Sequence, residues 1–517
     1  GTANIDTNSR LCMSSAVAAH KRAFGEDIVP ASYQDFEQTD MVVLVGSNTA
    51  WCHPVLYQRI MQAKAERDIF VVVVDPRFTS TCEQADLHLP ILPGQDIALF
   101  NGLLQHLHQK GFADQAFIDA YTQGVEAALQ SSQAEQDPED VAKQTGISLE
   151  KLQQFYEKFA QTERVMTLFS MGVNQSSQGV NKANAITNCH LYSGKIGKTG
   201  AAPFSMTGQP NAMGGREVGG LANMLAAHLD IDNPQHQQLV QNFWKSPVIA
   251  KSAGLKAVDL FEAVESGKIK ALWIMATNPV VSLPNADQVK RALEKCPFVV
   301  VSDICQNTDT TAFADVLLPA LGWGEKDGTV TNSERCISRQ RAFLDAPGIA
   351  KADWWTVSQV AKKMGFLGFN FQNVSEIFTE HAQLSAYKNV SLADRDESDM
   401  FRYFNLQGLT ELTAQEYEDL NPVQWPVWDK QQPAESVRQI YANGQFSHAN
   451  AKAKFIAVEN VPPVHACNSE YPLVLNTGRI RDQWHTMSRT GLSANLSTHR
   501  AEPYCEIHPN DALKYGI

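Results

Sequence analysis

Cys12 is the residue whose chemistry most needs explaining. It stands in the run Asn8-Ser9-Arg10-Leu11-Cys12-Met13-Ser14-Ser15-Ala16-Val17, with no neighbouring cysteine or histidine to complete a metal site made from protein ligands alone. A metal held there takes most of its ligands from a cofactor; the plain alternative is a buried, inert thiol. The second chemical feature is the polar, glycine-rich stretch 171–220. It contains Gly194-Lys195-Ile196-Gly197-Lys198-Thr199-Gly200, then Gly208-Gln209-Pro210-Asn211 and Gly214-Gly215-Arg216-Glu217. Glycine lets backbone approach a ligand, and its amides bind anionic groups. The phosphate-loop pattern G-x-x-x-x-G-K-[ST] is not matched, and an ordinary surface loop explains the stretch equally well.

The elements that position these residues follow from four short apolar runs, 41–45, 70–74, 272–276 and 298–302. Each ends in small or polar residues: Gly46-Ser47-Asn48, Asp75-Pro76-Arg77, Thr277-Asn278-Pro279 and Asp303. Such runs suit parallel strands buried on both faces. Helical patterns lie between them at about 54–66 and 285–295, giving the βαβ unit of a doubly wound sheet. Ligands of such sheets bind at the carboxyl ends of the strands. The expected fold class is α/β: two doubly wound, mostly parallel-sheet domains plus the start of a β-rich C-terminal domain. The expected boundaries are 1–165, 166–380 (opened by a strand at 165–169), an excursion and linker at 381–465, and a cut-off C-terminal cofactor-binding β domain at 466–517, whose first strand is 472–475.

Composition narrows the partners. The 517 residues carry 43 Lys and Arg against 56 Asp and Glu, a net charge of −13 that attracts neither nucleic acid nor an anionic membrane. No apolar run reaches the roughly 18 residues of a membrane-spanning helix. The nine cysteines are odd in number and include no C-x-x-C pair, so they form neither a disulfide framework nor an iron–sulfur ligand set, and they point to a reducing compartment. The chain opens on Gly1 and stops at Ile517 inside a folded pattern, so it is expected to be a fragment.

The run from Asn8 to Val17 resembles the molybdenum-ligand segment of the molybdopterin-guanine-dinucleotide oxidoreductases, and among them the assimilatory, cytoplasmic nitrate-reducing members. The resemblance continues, in the family's order, through 45–48 with His53-Pro54, Asp75-Pro76-Arg77, Gly94-Gln95-Asp96, 171–175, 207–219, Ser302-Asp303, 324–328, and 477–486. It implies two molybdopterin guanine dinucleotides on one molybdenum, with Cys12 as the protein's thiolate ligand. It makes Met13 a neighbour of the metal and Arg216 the substrate residue. A guanidinium offers a planar pair of donors to a planar oxyanion such as nitrate and stabilises charge on the departing oxygen; the alternative for Arg216 is a surface ion pair with Glu217. Asp75 and Asp303 resemble the acids that meet ribose hydroxyls in dinucleotide folds, although turn or helix caps explain them as well. The remaining cofactor contacts it implies are Asn8, Gly46, Ser47, Asn48, His53, Arg77, Gln95, Asp96, Met171, Gln175, Asn278, Ser302, Lys326, Asp353, Thr477, Gly478, Arg479, Trp484, His485 and Thr486.

The implied reaction converts nitrate, two electrons and two protons into nitrite and water. In the family the electrons pass through a [4Fe-4S] cluster, whose cysteine motif is absent from these residues, from a ferredoxin, a flavodoxin or an NADH-linked reductase subunit. Independent activity of the chain is therefore not expected. Formate dehydrogenases of the same family place His after the ligand, where this chain has Met13. A non-catalytic scaffold such as the large peripheral subunit of respiratory complex I, or a simple nucleotide-binding module, leaves Cys12 with Arg216 unexplained.

Overall fold

The computed structural model describes residues 2–390, 400–431 and 439–517. The chain forms two compact units, Gly1–Leu260 with Leu321–Val474, and Phe261–Ala320 with Leu475–Ile517.

In the first unit, β1 (Met41–Val45), β2 (Phe70–Val74), β3 (Leu87–Leu89), β4 (Val165–Phe169) and β5 (Ala202–Ser205) make one parallel sheet in the order β3-β2-β1-β4-β5. Met41 pairs with Phe70 on one side and Val165 on the other, and every β1 residue is buried, as its unbroken apolar run requires. The connecting helices carry ordinary stop and start signals. Helix α1 (Ser14–Phe24) begins just after Cys12 and ends at Gly25, whose φ of 89° places its N–H on the Lys21 carbonyl. Helix α2 (Pro54–Arg67) starts on proline, which has no N–H to leave unpaired. Helices α3 (Asp96–Gln109) and α4 (Gly179–Tyr192) pack on each other and are buried on nearly all sides. Asn184 of α4 also donates to the Ala19 carbonyl of α1 at 3.0 Å. A small antiparallel sheet of Gly328–Thr331, Cys336–Gln340 and Val423–Gln424 belongs to the same unit.

The second unit holds three parallel strands in sequence order, β6 (Leu272–Met275), β7 (Val299–Asp303) and β8 (Val316–Pro319). The helix α5 (Ala286–Lys295) falls where the pattern at 285–295 predicts it.

Four expectations about organisation differ from the structure. The strand at 165–169 does not open a second sheet; it extends the first by pairing with β1, a choice made by long-range pairing rather than local pattern. The boundaries at 165, 380 and 465 consequently do not coincide with the two units. The segment 381–465 includes 391–399 and 432–438, outside the described residues. Its described residues are more than an excursion, since they supply Phe404, Trp425 and Phe446 to the core. Finally, 472–475 forms no strand. Leu473, Val474 and Leu475 are exposed and, among the described residues, have no neighbouring strand to take their backbone hydrogen bonds. No helix among the described residues is long and apolar enough to cross a membrane.

Candidate active site

The strand order of the first sheet reverses between β1 and β4, so the loops leaving their carboxyl ends diverge around a crevice. Two glycines set how closely those loops approach. The Gly172 N–H donates to the Gly46 carbonyl at 3.0 Å. A Cβ on Gly46, whose φ is +53°, would lie 2.7 Å from the Gly172 Cα, and one on Gly172 would lie 2.6 Å from the Gly46 Cα. The loop after β4 then grips the segment that carries Cys12. Gln175 Nε2 donates to the Leu11 carbonyl at 2.7 Å, and Asn174 Oδ1 accepts the Ala16 N–H at 2.9 Å. Upstream, Asp6 pairs with Arg10 at 2.9 Å and accepts the N–H groups of Ala222 and Ala257.

These anchors hold the Cys12 sulfur 3.5 Å from the Met171 sulfur and 3.4 Å from the Gln209 side-chain nitrogen. Burial raises the thiol pKa, while Gln209 and the positive charge of Arg216 pull it back down. Met13 is buried at the start of α1. Arg216, on the short helix Ala212–Glu217, is also buried. Its partner is not Glu217. Arg216 Nε donates to Asp27 Oδ2 at 2.5 Å, Nη2 lies 3.3 Å from the Met213 sulfur, and Nη1 has no partner among the described residues. Glu217 instead accepts from Thr331 at 2.9 Å and Trp425 at 2.7 Å. Adjacent residues on a helix point about 100° apart, so an i,i+1 ion pair was geometrically disfavoured.

The strand ends beside this crevice carry a set of turns that the second unit repeats. In the first, Asn48 accepts from the Thr81 hydroxyl at 2.9 Å, which itself receives the Ala50 N–H; Asp75 accepts the Arg77 N–H at 2.9 Å, and Asp86 the Val71 N–H at 2.7 Å. In the second, Asn278 accepts from Thr310 at 2.7 Å, which receives the Val280 N–H; Asp303 accepts the Cys305 N–H at 2.9 Å, and Asp315 the Val299 N–H at 2.7 Å. Ala276 even shares the φ of +53° found at Gly46. Asp75 and Asp303 therefore do make turn caps, and burial raises the Asp75 carboxyl above its usual pKa.

Cys12, Gly46, Met171, Gln175 and Arg216 gather about the crevice, with Ser47, Asn48, Asp75 and Arg77 along the neighbouring strand ends. Asn8 is exposed and opens the turn Asn8–Leu11. Ser47 shares a 2.9 Å hydrogen bond with Thr49, and His53 precedes the first turn of α2. Gln95 accepts from Asn460 at 3.0 Å, whereas Asp96 forms a buried ion pair with Lys182 at 2.6 Å that ties α3 to α4. Lys326 pairs with Asp353 at 3.2 Å. In the second unit Ser302 accepts from Trp273 at 2.8 Å. Thr477 and Gly478 are exposed, the Arg479 guanidinium lies 5.3 Å from the Trp484 ring, the His485 ring is 4.4 Å from that of Trp484, and Thr486 bonds Ser488 at 2.8 Å. Sequence reasoning missed Asp27, which lies in a turn with no periodicity to mark it. It also passed over Thr81 and Thr310, whose role shows only when the two units are compared.

Comparison with known proteins agrees with this geometry. Residues 1–363 match the family Molybdopterin oxidoreductase, and residues 473–517 match the Molydopterin dinucleotide binding domain. The chain is 52% identical to a nitrate reductase of Shewanella frigidimarina over 98% of its own length but 53% of the relative's, so it spans about half of that protein. It is 41% identical to a nitrate reductase of Synechocystis, covering 97% of this chain and 69% of the relative. It is 32% identical to the F420-dependent formate dehydrogenase subunit alpha of Methanocaldococcus jannaschii, covering 100% and 72%. The solved structure of acetylene hydratase from Pelobacter acetylenicus shares the fold, with a TM-score of 0.71 at 18% identity over 100% of this chain and 71% of that one. A family match over most of the chain, together with relatives above 30% identity covered over more than two thirds of their length, leads to one conclusion: this chain belongs to the molybdopterin oxidoreductase family.

Proposed function

We propose that this chain forms the molybdenum-binding part of a cytoplasmic nitrate reductase that converts nitrate to nitrite for nitrogen assimilation. The buried Arg216, fixed by Asp27 and with its Nη1 left without a partner among the described residues, carries the proposal. A chain of net charge −13 must draw an anion by such a local positive group.

The residues fit a molybdenum–pterin dinucleotide group. Among the described residues no cluster of three His, Cys, Asp or Glu could hold a metal, so Cys12 can serve only a metal that brings other ligands. Its soft sulfur suits a sulfur-ligated redox metal. The Gly46–Gly172 approach and the matching turns of the two units offer backbone and carboxylate groups for one dinucleotide each, with Asp75 and Asp303 at equivalent places. When bound, the group supplies the two-electron centre that takes an oxygen from the substrate. Cys12 holds that group, and Gln209 orients on the Cys12 sulfur. Asp27 fixes Arg216 Nε, so the rest of the guanidinium presents donors in one orientation to an oxyanion. Electrons arrive from a ferredoxin, a flavodoxin or an NADH-linked subunit through a [4Fe-4S] cluster.

The test is made on the complete protein, produced with its cofactor. Molybdenum and iron are measured, and nitrate reduction is assayed with a reduced dye. Cys12→Ala should lose molybdenum. Arg216→Ala should keep it and lower kcat/KM for nitrate by about 10²–10³. Full molybdenum loading with formate oxidation and no nitrate turnover would overturn the assignment.

A further inference from the structure

The buried ion pair of Arg216 and Asp27 makes one hydrogen bond where its chemistry allows two. Nε and Nη2 form one edge of a guanidinium, and a carboxylate ordinarily takes such an edge with both oxygens. Here Nε donates to Asp27 Oδ2 at 2.5 Å, but Nη2 lies 3.3 Å from the Met213 sulfur, and Asp27 Oδ1 has no partner among the described residues. All three side chains are buried. A carboxylate oxygen accepts far more strongly than a thioether, and leaving one oxygen of a buried carboxylate unpaired is costly. The pair thus forgoes its stronger second bond, and Met213 is the group that has Nη2 instead.

The contact with Met213 is local to one helix. Met213 precedes Arg216 by three residues on Ala212–Glu217, so the two side chains share a face. That helix is tied at both ends. Asn211 Oδ1 accepts the Thr331 N–H at 2.9 Å before its first turn, and Glu217 accepts from the Thr331 hydroxyl and from Trp425 at its last residue. Asp27 comes from elsewhere in the chain, two residues past the glycine that ends α1. The fixed helix sets where Arg216 meets sulfur, and Asp27 reaches only the nitrogen that is left.

We propose that Met213 is a positioning residue: its sulfur holds Arg216 Nη2 away from Asp27 Oδ1, keeps the ion pair to a single hydrogen bond, and so sets the orientation in which the guanidinium meets an oxyanion. This rests on the nitrate reading. A two-bond pair would turn the guanidinium into the plane of the Asp27 carboxylate and balance more of its charge before any substrate arrived. Held by one bond, Arg216 keeps the orientation its own helix gives it, with Nη1 uncommitted among the described residues. More of its positive charge is then left for an anion, which the net charge of −13 otherwise repels.

A double-variant cycle on the complete, cofactor-loaded protein tests this. Met213→Leu nearly conserves volume and removes the acceptor. With Nη2 released to Asp27 Oδ1, kcat/KM for nitrate should fall at least fivefold at unchanged molybdenum content. Asp27→Asn puts an amide NH2 in place of Oδ1, and a donor there cannot take Nη2. In that background Met213→Leu should change kcat/KM less than twofold. A residue that only fills the core gives the same change in both backgrounds; that result, or an unchanged kcat/KM in Met213→Leu alone, overturns the proposal. Met213→Gln, whose side-chain oxygen accepts from Nη2, should recover part of the loss. Crystal structures read the cause directly. In Met213→Leu, Nη2 should lie within hydrogen-bond distance of Asp27 Oδ1, and a pair still joined by Nε alone overturns the proposal. If Met213→Leu takes up no molybdenum, that structure decides. If the loaded wild type reduces no nitrate, the nitrate reading fails, and the structures alone decide whether Met213 holds the pair to one bond.

Discussion

Replacing either glycine at the β1–β4 crevice tests whether backbone approach shapes this site. In Gly172→Ala the new Cβ would lie 2.6 Å from the Gly46 Cα, against an ordinary contact of 3.4 Å or more, so one loop must yield by about 0.8 Å. The opposing atoms are backbone, which cannot rotate away. Overpacking of this kind costs about 1–3 kcal/mol. Gly46→Ala meets the same obstacle at 2.7 Å and also forces alanine to a φ of +53°, which adds about 1–2 kcal/mol. Gly46→Ala should therefore be the more damaging by that margin. Ala276 isolates the second contribution, because it already occupies φ +53°. Its replacement by glycine should stabilise the protein by about 0–1.6 kcal/mol, the roughly 1–2 kcal/mol of relieved strain less about 0.4–1 kcal/mol of added chain entropy in the unfolded state. Met171 adjoins Gly172 and sits 3.5 Å from the Cys12 sulfur, so a loop shift near 1 Å should also lower turnover by up to about 10²-fold. Urea unfolding followed by tryptophan fluorescence, with the nitrate assay alongside, gives both readings. A Gly172→Ala protein within 0.5 kcal/mol of wild type (a bound set by the roughly 1–3 kcal/mol expected), or equal costs for the two alanines, would refute the reasoning.

Two further outcomes follow from buried charge. His190, which bonds the Lys195 carbonyl and the Thr167 hydroxyl, is pushed down to about 3 by burial, against roughly 6.5 in an unfolded chain. The unfolded state thus takes up the proton first. The contribution is whole above about pH 6.5 and is lost as pH falls toward 3, at about 1.4 kcal/mol per pH unit. His190→Gln should flatten the stability–pH slope by that amount between pH 6 and 5 in urea titrations, and an unchanged slope would count against it. The Asp96–Lys182 pair joins α3 to α4, and Lys182→Met should cost about 3–5 kcal/mol by stranding the carboxylate. The double variant Lys182→Met/Asp96→Leu should regain most of that loss, and strictly additive costs would show that the two do not act as a pair.

The strands Met41–Val45, Phe70–Val74, Leu272–Met275 and Val299–Asp303 were legible because their apolar runs are short and continuous, and the helices at Pro54–Arg67 and Ala286–Lys295 because their stop signals are local; the apolar run at 472–475 misled. Sheet membership was not. The residues 165–169 look the same whether they open a sheet or complete one, and the answer lies in β1, more than a hundred residues away. The same distance hid the partner of Arg216. Glu217 is its neighbour in sequence, but Asp27, 189 residues earlier, is its neighbour in space. Cys12 shows the limit from the other side. Physical reasoning alone favoured a buried thiol, and family resemblance singled it out. The strand-end aspartates form the turn caps that their positions suggested, and their part in holding a dinucleotide belongs to the proposed function.

The anchoring of Cys12 also has a consequence in time. Its sulfur meets partners 159 and 197 residues further along the chain, and the Asp6 that steadies its segment bonds an N–H 251 residues on. A ribosome releases Cys12 well before these surroundings. During synthesis Cys12 therefore waits without these partners, and the crevice closes around it only once β4 and the loop at Gln209 have emerged. A group held by Cys12 as proposed would therefore enter late, and whatever delivers it would meet a nearly finished fold rather than a nascent segment.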